Sequence, residues 1–193
     1  MSDTSFQIHA YEGVTVLQLN SNDGTNRLTR ACVVSLIRSL SELNKSSDGL
    51  VFAGNNKFFS AGAELGEIAA LTGPAAYEFA LLGQRLMTAV ENFPAPVYAA
   101  ISGYCMGGGL DLALACHRRI AAPHSVFGHR GAALGLITGW GGTQRLPRLV
   151  GKAQALAMFV AAEKISAANA ARIGLIDAIA EDPVTEAIRR LRR

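Results

Sequence analysis

Charge is scarce in this chain, since only 17 % of its 193 residues are charged and 50 % are hydrophobic. Such a composition, without any low-complexity segment, is typical of an ordered domain rather than a disordered chain. Long apolar runs are missing, because none reaches the roughly 20 residues that a membrane-spanning helix needs. A broad basic face with interleaved aromatic residues is missing too. We therefore expect neither a membrane nor a nucleic acid as a partner.

Cysteine is also rare, with Cys32, Cys105 and Cys116 as the three examples. An odd number of cysteines in or beside apolar segments indicates reduced packing residues rather than a disulfide framework. No metal-ligand spacing connects them to the four histidines, so we expect no metal site. The first residues lack the basic segment and apolar stretch of a secretory leader, and we expect a cytoplasmic protein.

The net charge of +3 reflects four arginines among the last five residues, so the rest of the chain is close to neutral. Two interpretations of these arginines stay open. They can form a solvated helix end whose cations complement the helix dipole, or they can bind phosphate.

Alternating hydrophobic patterns predict an α/β fold with parallel strand pairing and a single domain. The predicted strands span residues 7–9, 14–19, 50–53, 97–101, 119–122, 126–129 and 175–180. The predicted helices span residues 27–43, 75–92, 143–150, 153–161 and 166–173, with one more between 183 and 193.

Two turns made of small residues, at 60–63 and 103–109, each lie between a predicted buried strand and a helix. A helix N-terminus presents unpaired backbone N–H groups and the positive end of the helix dipole. Two such ends at one point would form an oxyanion hole for a carbonyl that gains negative charge. Glycine in either turn can instead serve close packing alone. A dinucleotide-binding loop is disfavoured, because the glycines at 107–109 are consecutive and lie mid-chain.

The segments around these turns resemble the crotonase (enoyl-CoA hydratase/isomerase) superfamily. The resemblance is carried by residues 56–65, 100–113, 127–129, 134–136, 141–146 and 171–177. It implies a crotonase-like spiral of ββα turns that binds an acyl-CoA thioester, in a protein that assembles as a homotrimer or hexamer. We expect an acyl-CoA-binding core at residues 1–181 and a short basic C-terminal helix or tail at 182–193.

The family usually carries further C-terminal helices that cover the acyl pocket, and this chain resembles a short form without most of them. We expect a neighbouring subunit to cover the site, or the pocket to be open to water.

The resemblance also implies the roles of individual residues. It places the two oxyanion-hole N–H groups on Ala63 and Gly108. The implied coenzyme A and substrate contacts are Arg27, Leu28, Ala61, Glu64, Leu65, Gly107 and Gly131. Coenzyme A enters as part of the substrate, and no prosthetic group is implied.

Two positions depart from the family's hydratases, which use a pair of glutamates. The first position is Asp111, which keeps the carboxylate but is one methylene shorter, a retreat of about 1.5 Å. The second position is Gly131, which has no titratable group. If residues 127–131 are extended, His129 points to the same side as Gly131 and could supply the missing proton transfer.

Each of these residues also has a structural interpretation. Asp111 in a first helical turn can simply stabilise the helix dipole. His129 can be a hydrogen-bonded residue in the wall of the site. Arg130 can pair with a substrate carboxylate or form a surface salt bridge. Trp140 and Tyr104 are interpreted as packing residues.

The sequence therefore predicts an enzyme that hydrates or isomerises an enoyl-CoA through a thioester enolate. Asp111 acts as base or orients water at the β-carbon, and His129 is the candidate second proton carrier. A non-catalytic acyl-CoA-binding protein is the alternative, favoured by Gly131. Hydrolysis or decarboxylation of an acyl-CoA is a smaller alternative.

Overall fold

The computed structural model describes residues 5–11, 13–43 and 48–192. Its strands are β1 (Phe6–Tyr11), β2 (Val14–Leu19), β3 (Arg27–Leu28), β4 (Gly49–Ala53), β5 (Phe58–Ser60), β6 (Gly62–Ala63), β7 (Val97–Ile101), β8 (Tyr104–Met106), β9 (Arg118–Ala121), β10 (Val126–Gly128), β11 (Ile165–Ser166) and β12 (Ala178–Ile179). Its helices are α1 (Arg30–Leu43), α2 (Leu65–Ala69), α3 (Gly73–Glu91), α4 (Gly108–Ala115), α5 (Gly142–Val150), α6 (Lys152–Ala161), α7 (Ala167–Arg172) and α8 (Pro183–Leu191), with a 3₁₀ helix at Gly131–Leu134.

The strands form two main sheets, and the chain alternates between them. The larger sheet has the order β1-β2-β4-β7-β9-β12, and all of its neighbours are parallel except β1 and β2. The smaller sheet has the order β11-β10-β8-β5. Strands β4, β7 and β9 of the large sheet are each followed by a strand of the small sheet and then by helical structure. This repetition confirms the predicted spiral of ββα turns.

The two faces of the large sheet are covered by different elements. The main hydrophobic core lies on one face and includes the fully buried Phe52, Phe59 and Phe127. On the other face, a second cluster packs valines and alanines of the strands against the apolar side of α8, including Ala187. The arginines of α8 are on its polar side, where Arg189 and Arg190 both contact Glu186. Burying an apolar stripe while keeping charge in water is the usual reason for such a helix to dock.

The structure corrects the predicted helix at 27–43 and the two predicted turns. Arg27 and Leu28 belong to β3, which pairs with β6, so α1 begins only at Arg30. The Thr29 hydroxyl accepts a hydrogen bond from the Cys32 backbone N–H, 3.1 Å away, and so caps the helix. The two predicted turns contain the short strands β5, β6 and β8, because their backbones form ladders with distant segments.

The three cysteines are free and buried, which confirms their prediction as packing residues. Among the helices of the described ranges, none has the length and apolarity that crossing a bilayer requires.

Candidate active site

A cavity of about 800 Å³ lies where the two glycine-containing turns meet. Eight of the predicted site residues line it: Ala61, Ala63, Leu65, Gly107, Gly108, Asp111, His129 and Gly131. Most of the remaining wall is apolar and includes Ile68, Leu71, Phe79, Leu134, Leu136, Ile137 and Trp140. A concave apolar site with a few convergent polar groups is the usual form of a small-molecule binding site.

The backbones at Ala63 and Gly108 approach each other closely in this cavity. A Cβ atom added to Gly108 would lie 3.2 Å from the Ala63 nitrogen, and one added to Gly62 would lie 2.9 Å from the Gly108 nitrogen. Gly62 has a φ of 96°, a conformation that favours glycine. Gly108 is the first residue of α4, so its N–H has no acceptor within the helix. The arrangement agrees with the oxyanion-hole hypothesis, and the donor roles stay predictions.

Trp140 forms part of the wall around these amides. Its indole is buried and packs beside the Phe79 ring, with the centroids 5.4 Å apart. A Cβ on Gly108 would lie 2.6 Å from the indole, and one on Gly83 would overlap it. Glycine at these two positions therefore lets the indole lie against both α3 and α4. The packing interpretation of Trp140 agrees with these contacts.

Asp111 lies in the first turn of α4, and its side chain is only 2 % exposed. The Thr138 hydroxyl donates a hydrogen bond to its Oδ2 atom. Its Oδ1 atom lies 3.2 Å from Nε2 of His129, which is also buried. This second contact is not a hydrogen bond, and both atoms lack a hydrogen-bond partner among the described residues. Buried polar atoms without partners are costly and indicate a functional site.

Gly142, the first residue of α5, makes room for this cluster. A Cβ there would overlap Oδ1 of Asp111 and lie 3.0 Å from Nε2 of His129. The cluster of Asp111, Thr138, His129 and Gly142 therefore joins α4, the end of β10 and the start of α5.

Gly131 does not continue β10, so the condition under which His129 and Gly131 would point to the same side of a strand is not met. Strand β10 ends at Gly128, and Gly131 begins the 3₁₀ helix. The loop closes on itself, since the Leu136 N–H donates to the Gly131 carbonyl over 2.8 Å. A Cβ at Gly131 would lie 2.7 Å from the Leu136 carbonyl oxygen. The loop thus leaves no room for a side chain at residue 131, the position where the resemblance implies the second glutamate of hydratases.

Three predicted contacts lie away from the cavity wall. The Leu28 side chain is fully buried in the core. Arg27 Nη1 lies 3.2 Å from Glu64 Oε2 and 3.3 Å from Asp23 Oδ2. Glu64 also caps α2 by accepting from the Gly66 N–H. Their contacts with coenzyme A stay predictions.

Sequence reasoning missed Thr138, Gly142 and the cavity residue Lys164. The spacing of Thr138 from Asp111 carries no signal, because only the fold brings a loop residue 27 positions away into contact. Lys164 lies 4.9 Å from the Tyr104 ring centroid. Arg130 lines the cavity, and no acidic residue of the described ranges pairs with it.

Among the described residues, no cluster of histidine, cysteine or carboxylate side chains could hold a metal ion.

Comparison with known proteins defines the family. The family model described as Enoyl-CoA hydratase/isomerase matches residues 9–193. The chain therefore belongs to the enoyl-CoA hydratase/isomerase family, the crotonase superfamily. It is 40 % identical over 174 residues to the "Probable enoyl-CoA hydratase" of Bacillus subtilis (strain 168) and 36 % identical over 173 residues to the crotonyl-CoA hydratase of Syntrophomonas wolfei. Each match covers 88 % of this chain and 66 % of the relative's length.

Solved structures give the same fold. The enoyl-CoA hydratase of Bacillus anthracis superposes with a TM-score of 0.92 at 32 % identity, covering 97 % of this chain and 75 % of that one. Pseudomonas aeruginosa DspI superposes with a TM-score of 0.94 at 33 % identity, covering 100 % of this chain and 75 % of that one. The predicted crotonase-like fold is confirmed.

Proposed function

We propose that this chain forms the acyl-CoA site of an enzyme that hydrates or isomerises an enoyl-CoA thioester. The observation that carries the proposal is the approach of the Ala63 and Gly108 backbones in one cavity, beside the buried carboxylate of Asp111. Membership of the family and similarity to proteins named as hydratases support the same substrate class.

In the proposed reaction, two backbone amides stabilise the negative charge that develops on the thioester oxygen. The thioester oxygen accepts hydrogen bonds from the N–H groups of Ala63 and Gly108, which are fixed before the substrate arrives. The acyl chain lies along the apolar wall formed by residues such as Phe79 and Trp140. Hydration and double-bond isomerisation both pass through the thioester enolate, so the oxyanion hole serves either.

Asp111 is the proposed base, and His129 the proposed second proton carrier. The Asp111 carboxylate acts on the water that attacks the β-carbon, or on the carbon acid in an isomerisation. His129 lies against the same carboxylate and lines the same cavity. Coenzyme A is bound as part of the substrate, and Arg130 and Lys164 line the cavity as candidate partners for its phosphates.

The test is turnover of crotonyl-CoA by the purified protein, followed by the absorbance of the enoyl thioester and by chromatography of the products. We expect a saturable rate, and we expect Asp111→Asn to lower kcat by about 10²- to 10⁴-fold. Asparagine keeps the shape and the acceptor for Thr138, so the folded structure should persist. Asp48→Asn, at the exposed residue before β4, is the matched control and should leave kcat unchanged. Undiminished turnover by Asp111→Asn would remove Asp111 from the mechanism.

A non-catalytic acyl-CoA-binding protein is the second candidate, and the closed loop at Gly131 favours it, since the second carboxylate has no place there. Calorimetric titration with crotonyl-CoA separates the two functions. Binding without any hydrated or isomerised product supports the binding protein and rejects the enzyme.

We further propose that the protein is a cytoplasmic homotrimer or hexamer, with the acyl-CoA-binding core at residues 1–181. Three free, buried thiols support a reducing compartment. Exposed apolar residues of α6, Leu156 at 63 % and Val160 at 70 %, support an interface between copies. Light scattering on the eluted protein measures the assembly, and a monomeric mass contradicts it.

A further inference from the structure

The Asp111 side chain borders the cavity but exposes almost none of its surface to it. One of its oxygens, Oδ1, is inaccessible and lies against His129. The other, Oδ2, accepts the hydrogen bond of Thr138. With 2 % of the side chain exposed, little of the carboxylate can touch a substrate directly. A base that acts on the cavity must therefore act through a neighbouring group.

Thr138 has the chemistry and the position of such a group. It is half-buried and lines the cavity, while its hydroxyl donates to Asp111. Its Oγ1 atom also lies 3.4 Å from the Trp140 backbone nitrogen, which donates to it. A hydroxyl has one proton to donate and two lone pairs that accept, so Oγ1 keeps one acceptor position after these contacts.

We propose that Thr138 is a catalytic residue that relays a proton between the substrate water and Asp111. This inference rests on the proposed function and adds a group to it. The hydroxyl compensates for the short carboxylate, because an O–H···O contact extends the reach of Asp111 by about 2.7 Å. That gain exceeds the methylene by which aspartate falls short of the family's glutamate, about 1.5 Å.

In hydration, the attacking water gives a proton to Oγ1 of Thr138 while Thr138 passes its own proton to Oδ2 of Asp111. The water oxygen forms a bond to the β-carbon, and the electron pair of the C=C bond moves to make the enolate at the thioester. The Ala63 and Gly108 amides hold its oxygen. The enolate collapses when the proton taken up by Asp111 passes to the α-carbon by way of His129, the second proton carrier of the proposed function, which lies against the carboxylate. This step regenerates the Asp111 carboxylate. The net change is the addition of one water molecule.

The experiment compares Thr138→Val, which keeps the shape without the hydroxyl, with Thr138→Ser, which keeps the hydroxyl. We expect Thr138→Val to lower kcat for crotonyl-CoA hydration by about 10²-fold or more while KM changes by less than about threefold. Thr138→Ser should stay within about tenfold of the unaltered protein. Thr88→Val, on the exposed side of α3, is the control for the substitution itself and should leave kcat unchanged.

Two further readouts separate a relay from a structural role. In mixtures of light and heavy water, a relay gives a curved dependence of kcat on deuterium content, since two protons move together. The double variant Thr138→Val with Asp111→Asn should be no slower than the slower single variant, because both remove one path.

Several outcomes overturn the relay. One is a kcat of Thr138→Val within about threefold of the unaltered protein, and another is an equal loss of kcat in the valine and serine variants. The others are losses of kcat that add in the double variant, and a kcat that depends linearly on deuterium content. If Thr138→Val fails to fold, the deuterium dependence of the unaltered protein decides alone. Isomerised product without hydrated product rejects the relay from water and leaves the proposed function standing. Absence of all turnover rejects both.

Discussion

Two buried charged residues of this chain differ in how fully they are hydrogen-bonded. The Arg119 guanidinium is fully engaged, donating to the carbonyls of Leu175 and Cys116 and pairing with Asp177 at 3.2 Å. Asp111 differs, because its Oδ1 atom has no hydrogen-bond partner among the described residues. Satisfied buried charge fixes structure, whereas an unsatisfied buried carboxylate in a cavity is available for chemistry.

The Arg119–Asp177 pair leads to a stability prediction at the residue scale. Asp177→Ala leaves a buried guanidinium without its carboxylate, and we expect the free energy of unfolding to fall by about 3 kcal/mol. Chemical denaturation measures this change. Glu42→Ala breaks the exposed Arg38–Glu42 pair and should cost less than about 0.5 kcal/mol. Equal effects of the two substitutions would contradict the assignment of Asp177 as the structural partner of the buried Arg119.

At the scale of the elements, the loop between β10 and α5 decides which polar groups reach Asp111. It begins as the 3₁₀ helix at Gly131–Leu134 and turns at Gly135, whose φ is 70°. It then carries Thr138 to Asp111 and brings Gly142 against the same carboxylate. The loop thus places a hydroxyl beside Asp111 and leaves no room for a side chain at residue 131.

This loop predicts that a glutamate at position 131 will not restore a two-carboxylate site. In Gly131→Glu the Cβ meets the Leu136 carbonyl oxygen, so the loop must shift at a cost of about 1–3 kcal/mol. We expect lower thermal stability and no gain in crotonyl-CoA hydration.

Two controls separate the clash from the carboxylate. Gly131→Ala carries the same Cβ without the charge and should be destabilised similarly. Gly73→Ala, where nothing lies within 4 Å of an added Cβ, should be close to neutral. A hydration rate in Gly131→Glu above that of the unaltered protein would show that the loop opens easily, contrary to this account.

At the scale of the whole molecule, the spiral brings distant segments to one cavity. Ala63 follows β5 and Gly108 follows β8, and these strands are neighbours in the small sheet. The pairing of β8 with β10 then brings His129 beside them. The small sheet and the large sheet have one continuous core between them, since a single hydrophobic cluster contains residues of both sheets.

The continuous core predicts that its cysteines report global unfolding together. Burial raises the pKa of Cys32 to about 11 and of Cys116 to about 12, and raises that of Cys105 well above its ordinary value. At pH 8, below all of these values, the thiols stay protonated and unreactive, because the thiolate is the nucleophile. A disulfide reagent should modify none of the three in the native protein and all three in denaturant. A thiol that reacts rapidly in the native protein would contradict a closed core.

Much of the fold could be predicted from the sequence, because long helices and buried strands have local patterns. The spacing of apolar residues predicted α3 and β7 to within about two residues. The short strands β3, β6 and β8 were missed, since two- and three-residue strands exist only through their partners.

The sequence by itself determined the fold class, the family and the two turns that hold the candidate oxyanion hole, because each depends on residue types that are adjacent along the chain. Only the tertiary structure decided the surroundings of Asp111. The Thr138 hydroxyl, the His129 ring and the space beside Gly142 reach that carboxylate from three separate segments. Contacts across such separations are set by packing and strand pairing, which no local pattern encodes.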